Sequence, residues 1–229
     1  MSESQIQKIV SGLGGAALMG VHLILPFLHG YRARWGATDE ELKRPWPGDE
    51  FVPVARGGFT HAIALHAPAS QVWPWVVQIG QDKGGFYSYE FLENLVGCNI
   101  HNADRLVPEW QQLKVGCLLR LHPAAAVPVE LLEPGKGFVM HGVINTATGE
   151  GAAGGATPSQ DFVNVSWLFY VEDVPGGSRF ISRWRVDYEP GFKNEVMYGR
   201  YGLEPIAAVM DFKMLKGVKQ RAERAALAG

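Results

Sequence analysis

Between Val115 and Tyr188 five β-type runs follow one another closely: Val115–Leu121, Val127–Leu132, Gly137–Val143, Asp161–Val171 and Arg179–Tyr188. Parallel neighbours need crossover connections of a dozen or more residues, and most intervals here are shorter, so the runs predict an antiparallel meander. The longest interval, Asn145–Ser159 (NTATGEGAAGGATPS), is rich in Gly, Ala and Thr and has no periodicity. It reads as a mobile loop between two strands, of a kind that often borders a cavity mouth.

An earlier strand is predicted over Thr60–His66, where Ala62, Ala64 and His66 alternate with His61, Ile63 and Leu65. Two short helices should follow. The first has Ser70 as N-cap, Pro74 in its first turn and Val72, Trp75, Val76 and Ile79 at helical spacing; the second is signalled by Ser88, Phe91, Leu92 and Leu95 and ends at Gly97. The chain closes on a long amphipathic helix, about Gly202 to Leu227, with Leu203, Ala207, Met210, Met214 and Val218 on one stripe and lysines and arginines around most of the rest.

The N-terminal part reads differently. From Ile9 to Leu28 there is no charged residue, about the ~20 residues a helix needs to cross the hydrocarbon core. Gly12, Gly14, Gly15, Gly20, His22 and Pro26 lower either helix propensity or transfer free energy. Two readings stand: a membrane anchor over residues 9–28, or a helix packed on the domain. If the segment spans, Arg32, Arg34, Lys43 and Arg44 outweigh Lys8 and put the main domain on the cytoplasmic side. Residues 1–33 thus form the apolar helix, and 34–58, with a helix capped by Thr38 and a turn at Pro47-Gly48, a linker leading into a main domain over 59–229.

With 23 acidic against 21 basic residues the chain has no electrostatic footprint for nucleic acid. Two cysteines without a Cys-x-x-Cys pair point to a reducing compartment. Cys98 with His101 and Cys117 with His122 could be drawn as a tetrahedral metal site, but the spacing fits no zinc module, and neither metal nor cofactor is expected.

The order strand, two short helices, antiparallel strands, long C-terminal helix resembles the helix-grip fold, an α+β arrangement in which a curved sheet wraps the last helix. RWGATDEELKRPWPGDEFVP, HAPASQVWPWVVQIGQDKGGFYSYEFLENLVGCNIHNADRLVPEWQQLKVG, SRWR and DFKMLKGVKQRAE are similar to a bacterial branch of the START-like (SRPBCC) superfamily, over roughly residues 34 to 225. That superfamily includes polyketide cyclases and dehydratases, lipid-transfer domains and plant hormone receptors. The resemblance implies a pocket rather than a reaction, and supplies no superfamily-wide catalytic set to carry over.

Dinucleotide, phosphate-loop, His-Glu-x-x-His and Gly-x-Ser-x-Gly signatures are absent. Glu93, His101, Asp104, Arg105 and Glu109 form a dense polar cluster beside Trp110, in which His101 and Asp104 could act as acid and base or merely brace a long segment. His141 is a further candidate. In Arg179–Tyr188 the residues Arg179, Ile181, Arg183 and Arg185 share one face, expected to meet solvent, while Phe180, Ser182, Trp184 and Val186 share the other. With Trp167 taken as inward, Trp167, Trp184, Met210 and Met214 would form an adaptable apolar wall, or simply a filled core. Tyr87, Tyr89 and His141 could add polar handles, and GGFYSY a gate. The expected function is binding or carriage of a lipid-like or aromatic small molecule; the alternative is a cyclase or dehydratase.

Overall fold

The computed structural model describes residues 3–148, 151 and 160–228. Its sheet is organised around the strand whose two faces differ most, Gly177–Tyr188 (β6). On one side β6 pairs with Gly57–Leu65 (β1); on the other it pairs with Phe162–Val174 (β5), followed outward by Gly137–Asn145 (β4), Ala125–Glu133 (β3) and Leu118–His122 (β2). All pairings are antiparallel. The register sets Trp184 opposite both Phe59 and Trp167, and Trp167 opposite Met140, so one apolar row runs across the sheet on its concave face. The bulges in β2–β3 and β3–β4 add curvature at that end.

Leu203–Ala228 (α7) lies against the concave face. Ala208, Val209, Phe212, Leu215, Val218 and Ala222 are buried there beside Phe59, Trp184, Val186 and Phe180. This is the helix-grip architecture. The meander, the two helices after the first strand and the long last helix all stand where sequence periodicity set them. Of the loop expected over Asn145–Ser159, residues 149–150 and 152–159 lie outside the described residues.

The helix Ala69–Val77 (α4) begins one residue before Ser70, and Ser70 does not cap it. The amide of Ala69 donates instead to Asp173 Oδ1 at 2.7 Å, so a first-turn donor is met by the end of β5. Likewise Ser88 does not cap Glu90–Leu95 (α5); its hydroxyl donates to the Met210 carbonyl at 2.9 Å and ties α5 to α7.

The convex face corrects a second expectation. Arg179, Arg183 and Arg185 do not project into solvent, because the linker lies across them. Arg183 Nε donates to Asp49 at 2.7 Å, Arg179 Nε to Glu41 at 2.8 Å, and Arg185 to the Val52 carbonyl at 2.7 and 2.9 Å. Trp46 is buried among Ala62, Val139, Leu168 and Ile181. The helix Asp39–Lys43 (α3) that carries Glu41 is capped by Thr38, as its sequence predicts, and Glu41 completes a capping box.

The N-terminal helix, Glu3–Ile24 (α1), packs on α5 and α7. No helix among the described residues is long and apolar enough to cross a membrane, so the span expected over residues 9–28 is not met. Gly12 and Gly15 explain the packing: a Cβ at either would lie within 3 Å of the Phe91 or Tyr89 side chain, so these glycines let α1 approach α5 closely. Lys8 adds an ion pair to Glu90 at 2.6 Å. Val10, Leu13, Val21 and Ile24 remain exposed along the outer side of α1. Arg32, in the short helix His29–Ala33 (α2), is fully buried and paired with Glu204 of α7 at 3.1 Å.

Candidate ligand cavity

Between α7 and the sheet at β2 and β5, α5 and α1 do not fill the gap. A cavity of about 540 Å³ remains, bordered by Met19, Phe86, Leu92, Val96, Trp167, Ile206, Met210 and Met214 among others. A recess of about 150 Å³ adjoins it, sharing Leu121, Trp167, Leu203 and Ala207 and reaching Phe59, Met140 and Trp184. The stripe predicted on α7 divides accordingly. Val218 packs in the core, Met214 is buried but borders the cavity, and Leu203, Ala207 and Met210 face the space.

Few polar groups reach this space, and nearly all are occupied. Asp211 Oδ1 accepts from the Ser182 hydroxyl at 2.7 Å, which in turn accepts from Trp167 Nε1 at 2.9 Å. Asp211 Oδ2 lies 2.6 Å from Nδ1 of His61, whose Nε2 donates to the Arg32 carbonyl at 2.7 Å. Because a carbonyl only accepts, Nε2 must carry hydrogen, and the remaining proton of the pair lies between His61 and Asp211. The network fixes the indole of Trp167 and joins β1, β6, α7 and the α2 backbone. His122 Nδ1 accepts from the Ala124 amide at 3.1 Å, so its Nε2 carries hydrogen and donates to the Val96 carbonyl at 3.0 Å.

Glu93 is the exception. It borders the cavity, is 5% exposed, and neither carboxyl oxygen has a hydrogen-bond partner. Burial, and then the charge of Glu90, push its pKa up to about 8. Glu90 itself is engaged by Lys8, the Asn102 amide and His101. Sequence reading placed Glu93 only within a polar cluster; its acidic neighbours and the apolar Leu92 and Leu95 beside it were the available signal.

The other expected residues separate. Tyr87 and Tyr89 do not border the apolar cavity; Phe86 and Ser88, their neighbours in alternation, do. Both tyrosines line a polar cleft with Lys8, Lys213 and Arg221. Tyr87 takes a positive φ of 55°, its hydroxyl accepts from Gln78 at 2.8 Å, and burial raises its pKa. Gly84 sits where a Cβ would come within 2.7 Å of that hydroxyl, so close approach accounts for the glycine.

His101 and Asp104 lie outside any helix and do not pair. His101 is 3.3 Å from Glu90, and Asp104 accepts from Arg221 at 2.9 Å; their side chains are 77% and 74% exposed. His141 is on the convex face, stacked on Phe51 and bonded to Asn164 at 2.9 Å. Among the described residues no group of three or more His, Cys, Asp and Glu side chains is placed to hold a metal ion.

No family model matches the chain, and no curated protein sequence does. Solved structures are similar in outline. The polyketide-cyclase-like protein Cgl2372 of Corynebacterium glutamicum is 17% identical, with a TM-score of 0.36 over 74% of this chain and 93% of its own. An uncharacterized protein of Rhizobium leguminosarum is 12% identical, with 0.41 over 73% and 95%. The di-domain aromatase/cyclase StfQ of the steffimycin pathway is 12% identical, with 0.34 over 74% and 51%. The chain has the helix-grip fold. That assignment rests on strand order, register and the seat of α7, and these distant likenesses add nothing about ligand or chemistry.

Proposed function

We propose that this chain binds an apolar small molecule in the cavity between α5, α7 and the concave sheet. The supporting observation is the cavity itself: about 540 Å³, within the ~300–1,000 Å³ usual for small-molecule sites, walled by indole, thioether and aliphatic groups with few polar atoms. The thioethers of Met210 and Met214 adapt to varied shapes, whereas Trp167 is held rigid through Ser182. The cyclase or dehydratase reading draws less support, since His101 and Asp104 sit apart at the surface and His141 on the far face.

Titration calorimetry with the neutral probe 2-naphthalenemethanol tests the proposal. Saturable one-site binding is expected, weakened about tenfold or more by Ala207→Phe, which fills the junction of cavity and recess. Met210→Trp serves as a second filling variant should Ala207→Phe be unstable. Absence of saturable binding, or equal affinity in a folded filling variant, overturns the reading.

A further inference from the structure

Several buried side-chain polar atoms lack a partner among the described residues, in His22, Trp75, Glu93 and Ser178, and only Glu93 among these borders the apolar cavity. An unpartnered buried carboxyl is costly, and native interiors normally satisfy such groups. No described residue does so here. The charged and titratable groups around it are Glu90 one turn back, held by Lys8; Cys98, whose thiol is pushed up by burial and by Glu93; His122, engaged at the backbone; and Asp211, paired with His61. Among the described residues no lysine or arginine borders the cavity.

The unoccupied hydrogen-bonding capacity of the cavity is therefore acidic, in surroundings that hold further acids and no uncommitted cation. A ligand carboxylate would find no cation in the lining to pair with. A hydroxyl or carbonyl could bond to the neutral acid of Glu93, but only as one uncharged pair. An ammonium supplies both donors and counter-charge, and a pair shielded from water is favoured far more than one in solvent.

We propose that the cavity selects an apolar molecule carrying one protonated amine, and that Glu93 is the residue that receives it. This deepens the reading of the cavity as a binding site and rests on it. Glu93, with its pKa near 8, is mostly protonated at pH 7, so capture of an ammonium ionises it. The acid plus the ammonium gives the carboxylate–ammonium pair and one proton passed to solvent. Binding of a neutral isostere releases none.

The test compares 2-(aminomethyl)naphthalene, 2-naphthalenemethanol and 2-naphthoate on the full chain at pH 7, by calorimetry in two buffers of different ionisation heat. The amine is expected to bind about tenfold or more tighter than the alcohol, with release of roughly one proton, and the carboxylate more weakly than either. Glu93→Gln is expected to bring the amine to the affinity of the alcohol and abolish proton release, leaving the alcohol within about twofold. If the alcohol binds but the amine binds no tighter, or no proton leaves, the amine assignment falls and the cavity reading survives. If none of the three binds, both fall. The wild-type comparison decides the matter even without the variant.

Discussion

Asp211 in α7 and Glu93 in α5 border the same cavity and are buried to nearly the same degree, 2% and 5% exposed, yet the chain treats them in opposite ways. Asp211 is met at both oxygens, by Ser182 and His61, and through them it holds the Trp167 indole and the α2 backbone in place. Glu93 is met at neither. A buried polar group whose bonds close within the chain is part of the framework. One whose bonds stay open is where the framework leaves room for something else. The convex face belongs to the first kind: Arg179, Arg183 and Arg185 are each closed by the linker.

The contrast breaks most visibly at Asp211. Removing one partner of a buried charged network leaves the others uncompensated, so Asp211→Ala should lower unfolding free energy by about 3–5 kcal/mol. Denaturant titration measures it. A loss below about 1 kcal/mol would mean that His61 and Ser182 find other partners, and the distinction between the two carboxyls would lose its energetic basis.

Glu93 should respond with the opposite sign. Its folded pKa, about 8, lies above the 4.5 of an unperturbed glutamate, so between those values the native state holds a proton that the unfolded state has lost. Wild-type stability therefore declines as pH rises through that window, by about 2 kcal/mol between pH 6 and 8 from this group alone. Below the window both states are protonated and the effect vanishes. Glu93→Gln does not titrate, so its stability relative to wild type should climb by that amount over the same interval. Parallel stability profiles for the two proteins from pH 6 to 8 would place the carboxyl in contact with water or a cation.

The element order was legible because each signal is local: period-two runs with short intervals, the Thr38 cap, the stripe of α7. The face of Trp184 was also local, read from one strand's alternation, whereas Trp167 lies in a strand apolar on both faces, where alternation alone sets no orientation. Tyr87 and Tyr89 were assigned to the wrong side because the positive φ at Tyr87 lies in an irregular stretch, where alternation has no ladder to fix it. The Arg row misled for another reason: Glu41 and Asp49 lie 138 and 134 positions from the arginines they meet, beyond any pattern in the strand. Residues 9–28 look like a span by composition, while Gly12 and Gly15 serve close helix packing on α5. Glu93 was hidden most completely, because what distinguishes it is a missing partner, and that is a property of the folded whole.

The smallest expected effect sharpens the contrast from outside. His101 was read as half of an acid–base pair, but its side chain stands 77% exposed, 3.3 Å from a Glu90 oxygen that Lys8 already holds at 2.6 Å. Exposed pairs of this sort contribute about 0–1 kcal/mol, so His101→Ala should shift unfolding free energy by no more than about 0.5 kcal/mol. Binding of 2-naphthalenemethanol should be unchanged within about twofold, since no part of His101 borders the cavity. A larger loss of affinity would show that the Gly97–Gly116 segment moves with the ligand. The site would then include a surface that Glu90 and Lys8 fasten to α1, and the openness of Glu93 would have to be weighed together with that movement.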